Sequence, residues 1–480
     1  ITAISDQSID ALVVSGSAAA SGGAVGVSVS GAGAGAINTI TTDVKAFIDF
    51  DSAYGTRLTN IHSGSVTIAA EDTSRISAVT GAASLGAAFG AVGVAVSISI
   101  AGAYNEIRNE VSAFIADATV TTNDYDYTTL NSPNELINGD RVLSNGNIYK
   151  YIGADRLDPA GSLPAVNLAT EVYTNEALWN KINRFDYTTT NSPDELINGD
   201  RVLSNGDTYE YIGTDRLDPG NILPPVNLAA EVYTNGALWK KVNTIQVTAV
   251  EAATINALTS AASLSVAIGA VGVAVSGAGA AATNVILTTT KAYVTGSTLN
   301  SAGEVSIEAS DTSTINAIVS ASTAAIAGGA VGVGVSIGGA FATNLIGVAG
   351  NHAGAVAYVT DSSITAAGDL TLNATAEETI RAAVLATSVA IAPGAVGVGV
   401  SGSGVLAINL ITADINAFIE NSIINAGSVT LTADDTSRIM AFAGSASAAA
   451  AFGGVGVAVS IGVALAHNMI DNNVAAYLAD

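Results

Sequence analysis

No cysteine occurs in the 480 residues, which excludes disulfides, thiolate metal sites and cysteine nucleophiles. Charge is scarce: only 12% of residues are charged, with 16 Lys and Arg against 41 Asp and Glu. The resulting net charge of −25 leaves no basic patch for phosphate and argues against a nucleic-acid partner. An acidic surface keeps an apolar chain in solution and is compatible with loosely held calcium. Aromatic residues make up 5%, so large anchors are few. Stability then has to come from many layers and from backbone hydrogen bonding. A mean hydropathy of +0.46 excludes a disordered polar tract. The three histidines, His62, His352 and His467, occupy unrelated positions, and no acid–base pair or nucleophile constellation recurs. The chain is therefore not expected to be an enzyme.

What is present is a repeat. Gly-Ala-Val-Gly-Val-x-Val-Ser, or a close variant, begins at Gly23, Gly90, Gly269, Gly329, Gly394 and Gly453. Fifteen residues after each start stands an Asn: Asn38, Asn105, Asn284, Asn344, Asn409 and Asn468. Beyond each Asn comes a small-aromatic-aliphatic triplet, such as Ala113-Phe114-Ile115 or Ala357-Tyr358-Val359. Such regularity marks a stacked array rather than a globule around one active site. Both ends fall within the pattern, which points to a segment of a longer chain.

The run from Gly81 to Tyr104 carries no charge. Its length suits a membrane helix, but its pattern does not. Val331, Val333, Val335 and Ile337 alternate with Gly332, Gly334, Ser336 and Gly338, which is the period of a strand. No basic flanks mark a transmembrane segment, and no aromatic girdles mark a membrane barrel. The Val and Ile face is expected to fill the interior, so that Val333→Asp would bury a charge. The Gly, Ala and Ser face permits close approach of another backbone, within the chain or from a neighbouring one. A second strand class, exemplified by Glu304-Val305-Ser306-Ile307, follows turns containing Gly64, Gly303, Gly368 and Gly427. Those turns need positive φ or a tight bend. Roughly 60 residues per repeat suggest about three coils of a parallel β-helix, with a long-stranded meander as the competing layout. The recurrent Asn is expected to cap a bend through side-chain to backbone hydrogen bonds. The Asp-Thr-Ser triplets at Asp72, Asp311 and Asp435 suit bend caps better than calcium loops, because no Asp-x-Asp-x-Asp-Gly run is present.

With its Val-Gly-Val box, Asn and aromatic triplet, the array resembles the repeats of giant bacterial surface proteins, the filamentous-haemagglutinin-like and leukotoxin-type filamentous adhesins. The resemblance implies an all-β fold, a right-handed parallel β-helix or β-solenoid. It also implies export to the bacterial cell surface and a structural role in an extracellular fibre, biofilm matrix or adhesion. The partners implied are other copies of the chain or neighbouring repeats.

Composition changes between Val120 and Thr244, where both Trp and seven of the eight Pro lie. This stretch is a tandem duplication: Asp126-Tyr127-Thr128-Thr129 recurs as Asp186-Tyr187-Thr188-Thr189. Short alternating runs separated by Asn-Gly and Asp-Pro turns indicate small β-modules. The expected organisation is solenoid repeats over 1–122 and 244–480, with inserted modules at 123–183 and 184–243. Each module runs Gly-Asp-Arg-Val, Tyr-x-Tyr-Ile-Gly, Leu-Trp, an order similar to the small carbohydrate-binding modules of bacterial chitinases. That resemblance implies polysaccharide binding by Tyr149, Tyr151 and Trp179, and by Tyr209, Tyr211 and Trp239. The same rings would also serve as the core that so small a module needs. Two functional readings follow: a structural shaft whose modules decorate it, or a glycan-binding adhesin whose shaft is a spacer.

Overall fold

The computed structural model describes residues 1–49, 61–122, 125, 127–129, 133, 135–145, 147–156, 165–182, 186–191, 193–204, 207–216 and 225–480, without the side chains of residues 62, 128, 182 and 207. Among these the fold is nearly all β, with one short 3-10 turn at Leu228–Ala230. None of the helices among the described residues is long and apolar enough to cross a membrane.

The β-branched and small residues that alternate through each repeat form very long strands, such as Ser8–Asp49 and Arg75–Ala116. Each pairs with the equivalent strand of the next repeat, in parallel and without slip. Ile9, Ile76, Ile255, Ile315, Ile380 and Ile439 are successive partners. One repeat therefore makes one layer, not the three coils expected from its length. Six layers result, numbered here in chain order.

Residues 76–107 of the second layer, and their equivalents, account for the difference. They run out and back as a flattened arm, leaving only the remainder to enclose a second core. Ser84 and Ser97 face one another across this arm, 2.7 Å apart at their hydroxyl oxygens. The reversal between them falls on the glycine box. Backbone pairing to the neighbouring layers continues near the tip, where Gly269 N donates to Gly328 O and Val331 N to Ala270 O.

The body beyond the arm has three walls. A six-stranded parallel sheet includes Val66–Asp72 and Ile245–Glu251. A five-stranded one includes Thr119–Thr122 and Thr298–Ser301, and the closing stretch of the large sheet carries the aromatic triplets. Ile68, Ile115, Val120, Val247 and Leu299 are fully buried between them. The residue that turns the chain from the aromatic strand adopts left-handed φ: Asp117 at 47°, Gly296 at 57°, Asp361 at 50° and Asn421 at 45°. Asp, Asn and Gly are the residues that tolerate this region. The Gly303 turn, by contrast, is a close approach. A Cβ there would lie 2.8 Å from the Asn243 carbonyl oxygen.

Between Thr122 and Ile245 lie two separate four-stranded sheets, one from Tyr127–Thr128 to Trp179–Ile182, the other from Tyr187–Thr188 to Trp239–Val242. Layers two and three pair directly across this segment. The Asp158-Pro159, Asp218-Pro219 and Asn205-Gly206 turns, and the boundaries at 123, 183 and 184, lie outside the described residues.

Candidate functional site

The arm inverts the expected polarity. Its interior is lined by the small face: Gly93, Ala95, Ser97 and Ser99 are buried, whereas Ile98 and Ile100 are 48% and 61% exposed. Val331, Val333, Val335 and Ile337 likewise point outward, so the assignment of Val333 to the interior is corrected. The cause is spacing. The two legs approach so closely at the tip that a Cβ on Gly332 would sit 2.6 Å from the Ala327 carbonyl oxygen. Valine cannot fit such a gap, while Gly, Ala and Ser can. Serine hydroxyls satisfy one another inside it: Ser276 donates to Ser263 Oγ at 2.9 Å and Ser401 to Ser388 Oγ at 2.9 Å.

Two columns run through all six layers. The recurrent Asn side chains do not cap bends. They lie mid-strand and bond to one another: Asn38 Nδ2 donates to Asn105 Oδ1, Asn105 to Asn284, Asn284 to Asn344, each at 2.8 Å, then Asn344 to Asn409 and Asn409 to Asn468. In-register parallel stacking favours such a ladder, because each amide offers one donor and one acceptor along the stack. The second column stacks Phe47, Phe114, Tyr293, Tyr358, Phe418 and Tyr477, with adjacent ring centroids 4.7–5.1 Å apart and planes within 4°.

A third column gathers buried carboxylates where arm meets body. Asp72, Glu251 and Asp311 are direct sheet partners, all fully buried. Asp72, Asp311 and Asp435 each accept a hydrogen bond from the backbone N–H two residues on, at 2.9–3.0 Å, the expected bend geometry. Asn109 Nδ2 donates to Asp72 at 2.6 Å and to Glu251 at 3.2 Å, and Thr288 Oγ1 donates to Asp311 at 2.6 Å. Ser437 Oγ bonds both Glu378 and Asp435. Burial, followed by the negative charges of Asp311 and Asp72, pushes Glu251 up to about 10. Burial and then Asp311 push Glu378 up to about 8, and burial raises Asp311. Glu251 and Glu378 therefore hold protons at neutral pH. Among the described residues, no group of three or more His, Cys, Asp or Glu is arranged to hold a metal ion.

In the small sheets, Tyr151 and Trp179 are each 1% exposed, and Tyr211 and Trp239 are 1% and 2% exposed. A ring without an exposed face cannot stack on a sugar. These four are core, packed with Leu136, Val142 and Leu168 in one sheet and with Leu196, Val202 and Leu228 in the other. Tyr149 and Tyr209 pack on the same cores but are only partly buried. Tyr149 lies 5.0 Å from Tyr173, centroid to centroid, beside a recess of about 390 Å³ that also touches Glu176, Asn180 and Lys181. Arg156 donates to Glu171 Oε1 at 2.6 Å, and this bond holds the Glu171 carboxyl below its usual range. Between the two sheets, Lys150 pairs with Asp200 at 2.9 Å and Arg141 with Asp186 at 2.7 Å, all four largely buried.

The inverted arm, the Asn ladder and the carboxylate column went unforeseen because each depends on which repeats become neighbours. The one-repeat offset was the missing signal. Comparison with protein-family models, with curated proteins and with solved structures finds no match.

Proposed function

We propose that this chain is a structural segment of an extracellular bacterial surface protein. In this reading, its repeats form a right-handed parallel β-helix, a solenoid shaft that lengthens by one coil per repeat. The observation that carries the reading is the slip-free pairing of six successive repeats, with unbroken Asn and aromatic columns. A layer that matches its neighbour at every position offers the same edge to the next repeat or to another chain. No catalytic chemistry is needed for that task. The resemblance of the repeats to those of filamentous adhesins is what supports display outside the cell as part of a fibre, matrix or adhesin. Electron diffraction from purified material tests it. A reflection near 4.8 Å along the long axis of rods or filaments is expected from stacked strands (about 4.7–4.9 Å); compact particles without it would overturn the reading.

A second reading makes the small sheets the functional part, a polysaccharide-binding pair. The recess beside Tyr149 and Tyr173 favours it, since partly exposed tyrosines combine a stacking face with a polar tip. Tyr149→Ala with Tyr209→Ala should then abolish retention on insoluble chitin; retention by neither wild type nor variant removes this reading.

A further inference from the structure

The outer face of the arm's return leg is the largest feature left without a role. Counting from the glycine box, six outward positions in each layer form it, such as residues 92, 94, 96, 98, 100 and 102 of layer two. Every one of these positions in all six layers is Gly, Ala, Val, Leu, Ile or Phe. Interior layers expose it strongly: Ile337 is 61% and Phe341 50% accessible. Eleven residues at ~3.3 Å by six layers at ~4.8 Å give a face of roughly 1,000 Å². That exceeds the ~800 Å² per partner of a stable interface, and exposed apolar patches larger than about 300–600 Å² are rare on monomers.

The relief of this face identifies its occupant. Three rows run along the stack at the positions of Ile98, Ile100 and Gly102. The first reads, layer by layer, Gly31, Ile98, Gly277, Ile337, Gly402, Ile461. Consider a second copy laid on the face and related by a two-fold axis along the leg, with all six layers overlapped. Layer one then meets layer six, two meets five, and three meets four. In the first row Ile98 faces Gly402, Ile337 faces Gly277 and Ile461 faces Gly31. In the second, Ile100 faces Gly404 and Val463 faces Gly33, while Gly279 faces Gly339. In the third, Leu406 faces Gly102, Phe341 faces Ala281 and Leu465 faces Gly35. No large residue meets another in these rows. Uniform valine rows complete the face.

We infer that a second copy of this chain packs on this face in antiparallel stack orientation, knobs from each copy filling glycine hollows in the other. A symmetric, dry, interdigitated contact of this kind is self-complementary by construction. Lipid tails, having no layer period, would not require the large-to-small alternation. The outgoing leg lacks it and carries exposed Ser322 and Thr387, which bond to each other at 3.1 Å. Lateral pairing is independent of the end-to-end stacking proposed above. The two fail separately in a micrograph, the first as single-width rods and the second as absence of rods.

Size exchange tests the register. A Cβ added at Gly402 meets nothing within 4 Å inside its own molecule, and the longer isoleucine would lie on the outer face beside Ile337 and Ile461, so Gly402→Ile is expected to keep the fold. It places isoleucine against Ile98 of the second copy. The double variant Ile98→Gly with Gly402→Ile restores a knob opposite a hollow. Light scattering with sedimentation velocity should give twice the monomer mass, or paired rods, for wild type. Mass should halve for Gly402→Ile and double again for the exchange, with unchanged far-ultraviolet circular dichroism throughout. A wild type that stays single at every concentration overturns the inference. So does pairing that Gly402→Ile does not weaken, an exchange that does not recover, or wild type that binds neutral phosphatidylcholine vesicles without pairing.

Discussion

Replacing Glu251 by Gln should make the stack less sensitive to alkali. Glu251 is fully buried in sheet register with Asp72 and Asp311, and its carboxyl is pushed from 4.5 up to about 10. The unfolded chain releases this proton near the ordinary value, and the folded chain retains it to the raised one. Between the two the native state binds more protons than the unfolded state, so stability is full below the unfolded value and declines as pH rises. The slope is about 1.4 kcal/mol per pH unit for each such group. Gln keeps an oxygen for the Asn109 amide and removes the titration. Asp311 acts on both Glu251 and Glu378, so the same comparison in an Asp311→Asn background separates the slope that belongs to Glu251 from that of its neighbours. From about pH 5.5 to about pH 8, E251Q should therefore gain about 3 kcal/mol on wild type. Urea unfolding followed by circular dichroism at several pH values reads this directly. A difference between the two proteins that stays constant across that range would refute the buried, protonated assignment.

Further substitutions probe the other columns and the arm. Asn284→Ala orphans the Asn105 amide and the Asn344 carbonyl inside a buried ladder, at about 1–3 kcal/mol each; urea midpoints should fall accordingly. Gly332→Ala forces a Cβ against the Ala327 carbonyl and should cost about 1–3 kcal/mol, whereas Gly402→Ala, with open space, should be near neutral by the same assay. Ala274→Asp places a charge in the fully buried arm interior and should abolish folding. Val333→Asp, on the outer face, should keep native circular dichroism. Removing residues 124–242 should leave the array folded with an unchanged melting profile, since layers two and three pair without that segment and Asn243, whose carbonyl accepts from Thr122 and Ser301, is kept.

The strands and the repeat were legible because alternation and spacing are local properties of the chain. The polarity of the arm was not. Valine facing water contradicts ordinary burial, and only the near-contact of the two legs, seen at Gly332 and Ala327, makes the small face the inner one. Nor did length reveal the coil number, because an arm of some thirty residues is indistinguishable in sequence from further turns around a common core. Asn284 and its equivalents could be recognised as structural, yet their partners belong to other repeats. For Trp179 and Trp239 the pattern favoured core over sugar contact without excluding the latter, while the tyrosines stood nearer even; burial of both Trp beside Tyr151 and Tyr211 assigns all four to the core.

One repeat per layer is the central claim, and the absence of cysteine permits a clean distance measurement. Nitroxides placed at Ser322 and Thr387, direct partners in adjacent layers on the exposed outgoing face, report it by dipolar broadening in electron paramagnetic resonance. One layer of separation puts their backbones about 5 Å apart and predicts strong broadening. Three coils per repeat would put them about 14 Å apart, and the weak broadening that follows would contradict the account.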